Sequence, residues 1–482
     1  MRVATDEVME MSDDEVEQVS DDVLVVGGGL GGCLSALTVA RDRPDLSVRL
    51  LSLSPNRFDY HSGVIDILGY QPSEDTTTSK SGGGNTYARS RPREPVVNPF
   101  DAIETLDADH PYQRVGVDAL REGLSLYDAK LETYRGDHTE RNALVVTARG
   151  RPKPAGRYPA GMAGGLASRN DDVLLVGVEQ VPDFDVTVAA TTLRDRVPYT
   201  VGDATISFPG DGFEYPAPPH LAARLDDAVA ETEIPAGSAN ISNSAESASP
   251  PASVPAGAGR GGDGTVDELV EAIRAQLDIE PRIGVPAVLG VENHDTIRRT
   301  LGERLHATVF EVPVGPPSIP GRRLQQALFD ALEAADVTVE SDVEVVGFES
   351  AEGTLDTLVL DGGKRRRASA FVLATGDLST GGLTAERRVI REPVFDCPVS
   401  HPETQATWAG STFLDDHQFA RAGLETDEQL RPVEDDGCPV YENLYAVGRI
   451  LAGPNYDSEQ SGDGVAVATG YQAGRSILAA LF

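Results

Sequence analysis

Three short apolar runs along the chain each end in glycine, and each run predicts a buried β-strand. The runs and their glycines are Val23–Val26 with Gly27, Phe371–Ala374 with Gly376, and Leu444–Val447 with Gly448. Apolar positions at helical spacing follow the first run, and Val48–Leu51 predicts the next strand. A strand–helix–strand unit near one end and two glycine-ended strands near the other predict a dinucleotide-binding fold shared between the two ends.

The charge of the chain is extreme, because 77 acidic residues face 41 basic ones and leave a net charge of −36. A surface of this kind repels itself in dilute buffer, but at molar salt the screening length falls to about 3 Å. The composition therefore predicts adaptation to a salty cytoplasm, and an ordinary acidic surface is the alternative. The same surface argues against a nucleic-acid partner, because binding phosphates requires clustered cations.

The sequence predicts no membrane span, no disulfide framework and no metal site. No uninterrupted apolar run reaches about 18 residues, and the acidic N-terminus is the opposite of a secretory signal. The three cysteines, Cys33, Cys397 and Cys438, form no C-x-x-C pair, so an iron–sulfur site is not expected. The chain is therefore expected to be cytoplasmic.

Gly27, Gly29 and Gly32 form the pattern G-x-G-x-x-G directly between a predicted strand and a predicted helix. The first glycine permits a tight turn, the second lets the backbone approach a phosphate, and the third lets the helix pack on the strand. The pattern predicts nucleotide binding, with a fortuitous glycine turn as the alternative. The further cofactor contacts expected at the later strand ends and the final helix are Gly376, Gly448 and Gly464.

The acidic residue expected in the second strand is missing. In dinucleotide-binding proteins an Asp or Glu about 20 residues after the glycines binds the adenosine ribose, and Ser52 occupies that position here. Either FAD binds without the carboxylate, or the ligand lacks adenosine, as FMN does. A degenerate fold that holds no nucleotide is the third interpretation.

Residues 58–66 follow the second strand and are predicted to run along the cofactor. Ser62 and the N–H group of Gly63 could reach phosphate or ring atoms. His61 is the best histidine candidate for proton transfer, because the unperturbed pKa of histidine suits work near neutral pH. A surface turn that carries a structural histidine is the alternative.

Two segments carry arginines that could bind an anionic substrate. Pro316–Leu324 is rich in proline, opens a predicted helix and contains Arg322 and Arg323, and a pair of arginines can clamp a phosphate through bidentate hydrogen bonds. Arg431, ahead of the last glycine-ended strand, is the second candidate. Arg323 and Arg431 are predicted to form the clamp, and solvated arginines at a helix start are the alternative.

These elements together predict an α/β protein with a split Rossmann-like FAD/NAD(P)-binding fold, a parallel sheet and a β-meander, and an inserted α+β substrate or cap domain. The predicted parts are an acidic disordered tail (1–20), a discontinuous flavin-binding domain (21–70 and 340–482), an inserted substrate or partner domain (100–235 and 265–339), and flexible linkers (71–95 and 236–264).

Four motifs together resemble the B subunit of the anaerobic glycerol-3-phosphate dehydrogenase. The motifs are Val25–Gly32, His61–Asp66, Pro316–Gly321, and Arg431-Pro432 ahead of Asn443–Gly448. The resemblance covers most of the chain outside the N-terminal tail and two segments near 72–95 and 236–264, which look like lineage insertions. At Asp463 the chain departs from the small residue that is expected beside the cofactor ring.

The resemblance implies a flavoprotein subunit that is generally assigned FMN, with FAD as the alternative here. It implies an FAD-bearing A subunit as partner, and an iron–sulfur C subunit that anchors the complex at the membrane. The complex is expected to oxidise sn-glycerol 3-phosphate to dihydroxyacetone phosphate and to pass electrons to quinone. The chain would then be cytoplasmic and peripheral on the inner face of the cell membrane.

The role of this chain within such a complex has more than one interpretation. If the chain oxidises the substrate, a base removes the C2 hydroxyl proton while the arginines hold the phosphate, and His61 is the candidate base. The alternatives are a flavin relay beside a catalytic A subunit, a scaffold, and a stand-alone flavin reductase of the fumarate-reductase or NADH-linked kind.

Overall fold

The structure is a computed structural model that describes residues 18–54, 57–72, 94–210, 218–233, 262–387, 389–402, 404, 408–409 and 417–482. The predicted tail and the two predicted linkers lie largely outside the described residues. The first strand begins at Gln18, inside the range assigned to the tail.

The described residues form both strands and helices. The strands are β1 (Gln18–Val26), β2 (Val48–Ser52), β3 (Tyr134–Arg135), β4 (Ala143–Val146), β5 (Pro152–Ala155), β6 (Tyr158–Pro159), β7 (Val173–Val178), β8 (Val201–Ile206), β9 (Arg282–Pro286), β10 (Thr308–Val312), β11 (Thr338–Ser341), β12 (Val345–Ala351), β13 (Thr354–Leu360), β14 (Arg365–Leu373), β15 (Thr384–Ala385), β16 (Ile390–Arg391) and β17 (Leu444–Ala446).

The helices pack on both sheets. They are α1 (Leu30–Asp42), α2 (Pro99–Ile103), α3 (Pro111–Lys130), α4 (Val186–Arg194), α5 (Pro218–Glu233), α6 (Gly262–Arg274), α7 (His294–Leu305), α8 (Ile319–Glu333), α9 (Tyr456–Glu459) and α10 (Gly462–Leu481). Short 3₁₀ segments lie at Arg57–Tyr60, Ala160–Gly165, Asp361–Gly363, Gln418–Arg421 and Gly448–Ile450.

The larger sheet has the strand order β11-β2-β1-β14-β13-β12, and β17 pairs with β14. Strands β11, β2, β1, β14 and β17 run parallel, whereas β13 and β12 continue as an antiparallel meander. The register aligns Val26 with Leu373 and Leu373 with Ala446. The carboxyl ends of β1, β14 and β17 therefore meet at one edge, and the predicted α/β class with a parallel sheet is confirmed.

The smaller sheet has the order β10-β9-β7-β8, and all of its strands are parallel. Parallel neighbours require crossover connections, and α4 joins β7 to β8 while α7 joins β9 to β10. The predicted α+β character is therefore not confirmed for this sheet, although the same part of the chain also contains the antiparallel pairs β3–β6 and β4–β5. A short apolar run such as Val173–Val176 predicts a buried strand but does not reveal the direction of its neighbour.

The cores of the two sheets do not follow the predicted domain boundaries. Leu324 and Leu328 of α8 and Tyr112 and Leu120 of α3 are buried in the core of the larger sheet. The sequence assigned both helices to the inserted domain. An amphipathic helix shows which of its faces is buried, but its pattern does not say which sheet covers that face.

Helices α1 and α10 pack closely because both present glycines at their contact. A Cβ placed on Gly470 would lie 2.5 Å from the carbonyl oxygen of Gly31, and one on Gly474 would lie 2.7 Å from Thr38 Cβ. Contacts this short are not compatible with a side chain. The contact fixes the final helix against the helix that follows the glycine motif.

Replacing Gly470 with Ala should lower the free energy of unfolding by about 1–3 kcal/mol, because overpacking at this contact pushes the helices apart. Denaturant unfolding in molar salt measures the change. The matched control is Gly347→Ala in β12, where an added Cβ would lie 4.0 Å from the Cβ of Val359. The control should stay within about 0.5 kcal/mol of wild type, and equal losses for both variants would contradict the close helix contact.

Candidate functional site

The glycine motif turns the chain sharply from β1 into α1. Gly27 has φ +122, and a Cβ on it would lie 2.2 Å from the carbonyl oxygen of Ala374. A Cβ on Gly32 would lie 2.1 Å from the carbonyl oxygen of Gly27, so the helix rests directly on the turn. Gly29 is the N-cap of α1, and no described side chain caps this helix start. The first-turn N–H groups and the helix dipole therefore suit an anionic group such as a phosphate.

A cleft of about 320 Å³ lies beside this helix start. Its size falls within the usual range of ligand pockets, which begins at about 300 Å³. Residues from both ends of the chain line it. The lining glycines are Gly29, Gly31, Gly376, Gly448 and Gly462. The cleft extends to His61 and Asp463, so one wall is made of helix start and glycine turns and another of ionisable side chains.

His61 and Asp463 are hydrogen-bonded on the wall of the cleft. His61 Nε2 lies 3.0 Å from Asp463 Oδ1, and the N–H group of Gly63 donates to His61 Nδ1 at 3.0 Å. Because Nδ1 accepts this bond, the neutral ring carries its proton on Nε2 and donates it to Asp463. Both ring nitrogens thus have protein partners, and proton transfer by His61 stays a prediction that this arrangement does not favour.

Asp463 and Asp66 exchange two hydrogen bonds between side chain and backbone. Asp463 Oδ2 accepts from the N–H of Asp66 at 3.2 Å, and Asp66 Oδ1 accepts from the N–H of Asp463 at 3.1 Å. Lys153 Nζ lies 3.1 Å from Asp66 Oδ2, and the N–H of Gly464 donates to the Asp66 carbonyl at 2.7 Å. These contacts fasten the loop that carries His61 to the first turn of α10.

The two carboxylates of this network differ in acidity. Burial opposes the charge of Asp463, but the neighbouring His61 and Lys153 lower its pKa to about 2. The pKa of Asp66 is raised, because burial and the charge of Asp463 outweigh the attraction of Lys153. Asp463 is therefore the carboxylate that is held ionised beside the cleft.

The two arginines of the predicted clamp do not come together. Arg323 pairs with the buried carboxylate of Glu311 at 2.6 and 2.9 Å and also donates to the Gly290 carbonyl. It lines a separate cavity of about 400 Å³. Arg431 pairs with Asp427 at 2.8 Å and with Glu442, and it lines neither cavity. Each guanidinium group is already neutralised by a carboxylate, so the clamp is not formed.

The loop of residues 58–63 lies between the cleft and the second cavity. Phe58 and His61 line the cleft, whereas Pro320 lines the cavity. Gly63 has φ +76 and packs directly on Pro320, where an added Cβ would lie 2.6 Å from the proline Cβ. The two cavities are therefore separate spaces that share one wall.

The predicted contacts Ser52, Ser62, Gly63 and Gly464 do not line the cleft, and several of their polar groups are already bonded. Ser52 is buried beside Gly28 and donates to the Ser54 carbonyl at 3.0 Å. The hydroxyl of Ser62 accepts from the N–H of Val64 at 3.4 Å. The N–H groups of Gly63 and Gly464 donate to His61 and Asp66, respectively. The expected donation of these two N–H groups to a cofactor is therefore not supported.

Sequence reasoning missed Arg449, which lies on the wall of the cleft. Its Nε donates to Asp377 Oδ2 at 2.6 Å and its Nη2 to Asp457 Oδ1 at 2.8 Å. Burial opposes its charge, but these two carboxylates more than compensate and raise its pKa. Its position in the sequence could have indicated this role, because Arg449 directly follows the glycine that ends the last strand.

The part of the chain that the structure describes contains no cluster of His, Cys, Asp or Glu that could hold a metal ion. Among the same residues, no helix is both long and apolar enough to cross a bilayer.

Comparison with known proteins identifies the class to which this fold and cleft belong. The family model of the FAD binding domain matches residues 22–464. Among solved structures, 3-ketosteroid delta1-dehydrogenase from Sterolibacterium denitrificans is similar with 11% identity and a TM-score of 0.37, over 96% of this chain and 100% of that one. The family match covers the glycine motif and the start of α10, so the chain is a flavin-binding protein.

Relatives with similar sequences narrow the class. The chain is 39% identical to the B subunit of the probable anaerobic glycerol-3-phosphate dehydrogenase of Halobacterium salinarum, over 96% of this chain and 99% of the relative. It is 25% identical to the B subunit of the anaerobic glycerol-3-phosphate dehydrogenase of Pectobacterium atrosepticum, over 95% and 98%. The chain belongs to the family of B subunits of the anaerobic glycerol-3-phosphate dehydrogenase, and the resemblance seen in the motifs is confirmed.

Replacing Gly29 with Ala should separate flavin binding from stability. Its backbone is extended, with φ −76 and ψ 176, and an added Cβ would lie 4.0 Å from the carbonyl oxygen of Ala374. The variant should therefore unfold within about 0.5 kcal/mol of wild type. Its flavin affinity should fall about tenfold or more, because the added methyl group occupies the approach to the helix start. Fluorescence titration of flavin-free protein measures the affinity.

Gly27→Ala is the matched comparison for the Gly29 variant. The clash with Ala374 should reduce both stability and flavin affinity. Unchanged flavin affinity in the Gly29 variant would contradict the placement of a phosphate at this helix start.

Replacing His61 with Ala should lower the free energy of unfolding by about 1–3 kcal/mol, because a partly buried carboxylate loses its hydrogen-bond donor. Denaturant unfolding at neutral pH measures the loss, and His138→Ala at an exposed position is the control. Equal losses for His61→Ala and His138→Ala would contradict the contact between His61 and Asp463.

The pKa of Asp463 is lower in the folded chain, about 2, than its ordinary 3.8. Its ionisation therefore stabilises the fold above the ordinary pKa, and this contribution is lost as the pH falls toward 2.

Proposed function

We propose that the chain is the flavin-binding subunit of a glycerol-3-phosphate dehydrogenase complex. In this proposal the larger sheet is a split Rossmann-like fold, the region of the smaller sheet is an inserted cap, and the flavin lies in the cleft between Gly29 and Asp463. The observation that carries the proposal is the shared strand edge, which brings glycines from both ends of the chain to one cleft.

FAD is the proposed cofactor in preference to FMN, because the matching family model is that of an FAD binding domain. Ser52, which replaces the usual ribose-binding carboxylate, is the observation that favours FMN. The start of α1 would hold the phosphate, and Gly376 and Gly448 would lie along the cofactor. A bound flavin supplies the capacity to accept and release two electrons.

The names of the relatives support the substrate and the assembly. They are B subunits of anaerobic glycerol-3-phosphate dehydrogenases, and a lettered subunit implies partner chains. The proposed reaction of the complex oxidises sn-glycerol 3-phosphate to dihydroxyacetone phosphate. Electrons then pass from an FAD-bearing A subunit through this chain and an iron–sulfur C subunit to quinone. The chain would lie in a salt-adapted cytoplasm, on the inner face of the membrane, through these partners.

The pairing of the arginines favours a relay role for this chain within the complex. Arg323 and Arg449 both line cavities, but each is neutralised by carboxylates. A substrate phosphate would have to displace a carboxylate from either of them. Substrate oxidation by the A subunit, with this chain carrying electrons onward, avoids that cost.

Kinetics of separately purified subunits in molar salt test this role. We expect the A subunit alone to oxidise sn-glycerol 3-phosphate with a soluble dye, and this chain alone to be at least about a hundredfold slower, a barrier difference of about 2.7 kcal/mol. The full complex should be required for reduction of a quinone. Dye-linked oxidation by the isolated flavin-loaded chain would instead assign catalysis to this subunit, and activity with NADH or fumarate would favour a stand-alone reductase.

A further inference from the structure

The network of His61, Asp463, Asp66 and Lys153 joins the loop that carries His61 to the start of α10 through ionisable side chains. Two carboxylates are held near one lysine and one histidine with little solvent exposure, at 13–23% for each side chain. Removing charges from water is costly, and apolar residues of similar volume often stabilise a fold as well or better. The arrangement therefore calls for an explanation other than stability.

The position of Asp463 supplies that explanation. It is the second residue of α10, and its carboxylate lies on the cleft wall. A helix start carries about half a positive charge, which by itself would stabilise an anion at this end of the cleft. Asp463 places a full negative charge in the same first turn. The start of α1, which lines the same cleft, has no acidic residue in its first turn.

The two helix starts that line the cleft therefore differ in electrostatic character. The α1 start suits the phosphate of a flavin nucleotide, which leaves the α10 start for the ring. A negative charge disfavours the ionised form of a neighbouring acid. Beside the ring, Asp463 would keep the reduced cofactor protonated.

We propose that Asp463 couples the two-electron reduction of the bound flavin to the uptake of two protons across neutral pH. The inference rests on the proposed function, because it requires a flavin in the cleft. The oxidised ring takes two electrons and two protons to give the neutral reduced ring, and one proton to give its anion. Asp463 disfavours the anion. The electrons come from the substrate through the A subunit of the complex, or from an electrode, and the protons come from solvent.

The other ionisable groups around Asp463 leave its charge in place. Buried tyrosines are neutral, because burial raises the pKa of Tyr112, Tyr127 and Tyr134. Lys153 stays charged, because Asp66 and Asp463 raise its pKa against the effect of burial. The further ionisable groups nearby are His61, Asp66, Glu459, which bonds to His110, and Arg449, which bonds to Asp377 and Asp457.

Measuring the flavin reduction potential against pH tests the proposal. Each proton taken up changes the equilibrium constant tenfold per pH unit, which is about 30 mV for a two-electron couple. Spectroelectrochemistry of the flavin-loaded chain in molar salt, from about pH 6 to about pH 9, should give two protons and hence about 60 mV per pH unit. Asp463→Asn should raise the potential by about 30 mV or more and give about 30 mV per pH unit above neutral pH.

Three further variants test whether the slope depends on the Asp463 carboxylate itself or on the groups around it. Asp118→Asn removes the same charge at a position that is 93% exposed and lines neither cavity, and it should keep the wild-type slope. His61→Gln keeps a donor toward Asp463 but removes the imidazole ring, and it should also keep that slope. Lys153→Met, which removes the cation bonded to Asp66, should lower the potential and keep that slope.

The outcomes distinguish this inference from the function on which it rests. A chain that binds no flavin would contradict both the proposed function and this inference. A flavin-loaded wild type whose slope falls to about 30 mV per pH unit near neutral pH overturns the inference alone, whether or not any variant folds. So does an Asp463→Asn variant with the wild-type slope and potential, or an Asp118→Asn variant that changes as much.

Discussion

The parallel pairing of β1 with β14 is the constraint on which the rest of the structure depends. It aligns Val26 with Leu373, and β17 extends the alignment to Ala446. Because parallel strands end at the same edge of a sheet, segments from the two ends of the chain become neighbours there. A side chain on Gly27 would collide with the Ala374 carbonyl, so the glycine is required by the pairing. The cleft exists because this edge exists.

Ion pairing inside the protein explains why few arginines face a ligand. The chain carries nearly twice as many acidic as basic residues, so a guanidinium group readily finds a carboxylate in its own fold. Arginine binds carboxylates through two parallel hydrogen bonds, as Arg322 does with Asp59 at 2.6 and 2.9 Å. In a chain of this composition, an arginine in a suggestive motif is weak support for an anion site.

The sequence predicted those features whose cause is local. The glycine spacing reflects backbone needs within a few residues, and the apolar runs located the strands of the larger sheet. The partners of His61 and Arg323 were not predictable, because Asp463 lies 402 positions away from the first and Glu311 belongs to a different element from the second. The direction of the strands in the smaller sheet was missed for the same reason, since it is set by crossover connections rather than by composition.

The most direct measurement of the central claim is the flavin content of the folded chain purified in molar salt. We expect a yellow protein that releases a stoichiometric flavin on denaturation, and chromatography should identify the flavin as FAD. A correctly folded, colourless chain that takes up neither FAD nor FMN would contradict the claim that the two ends of the chain form a flavin site.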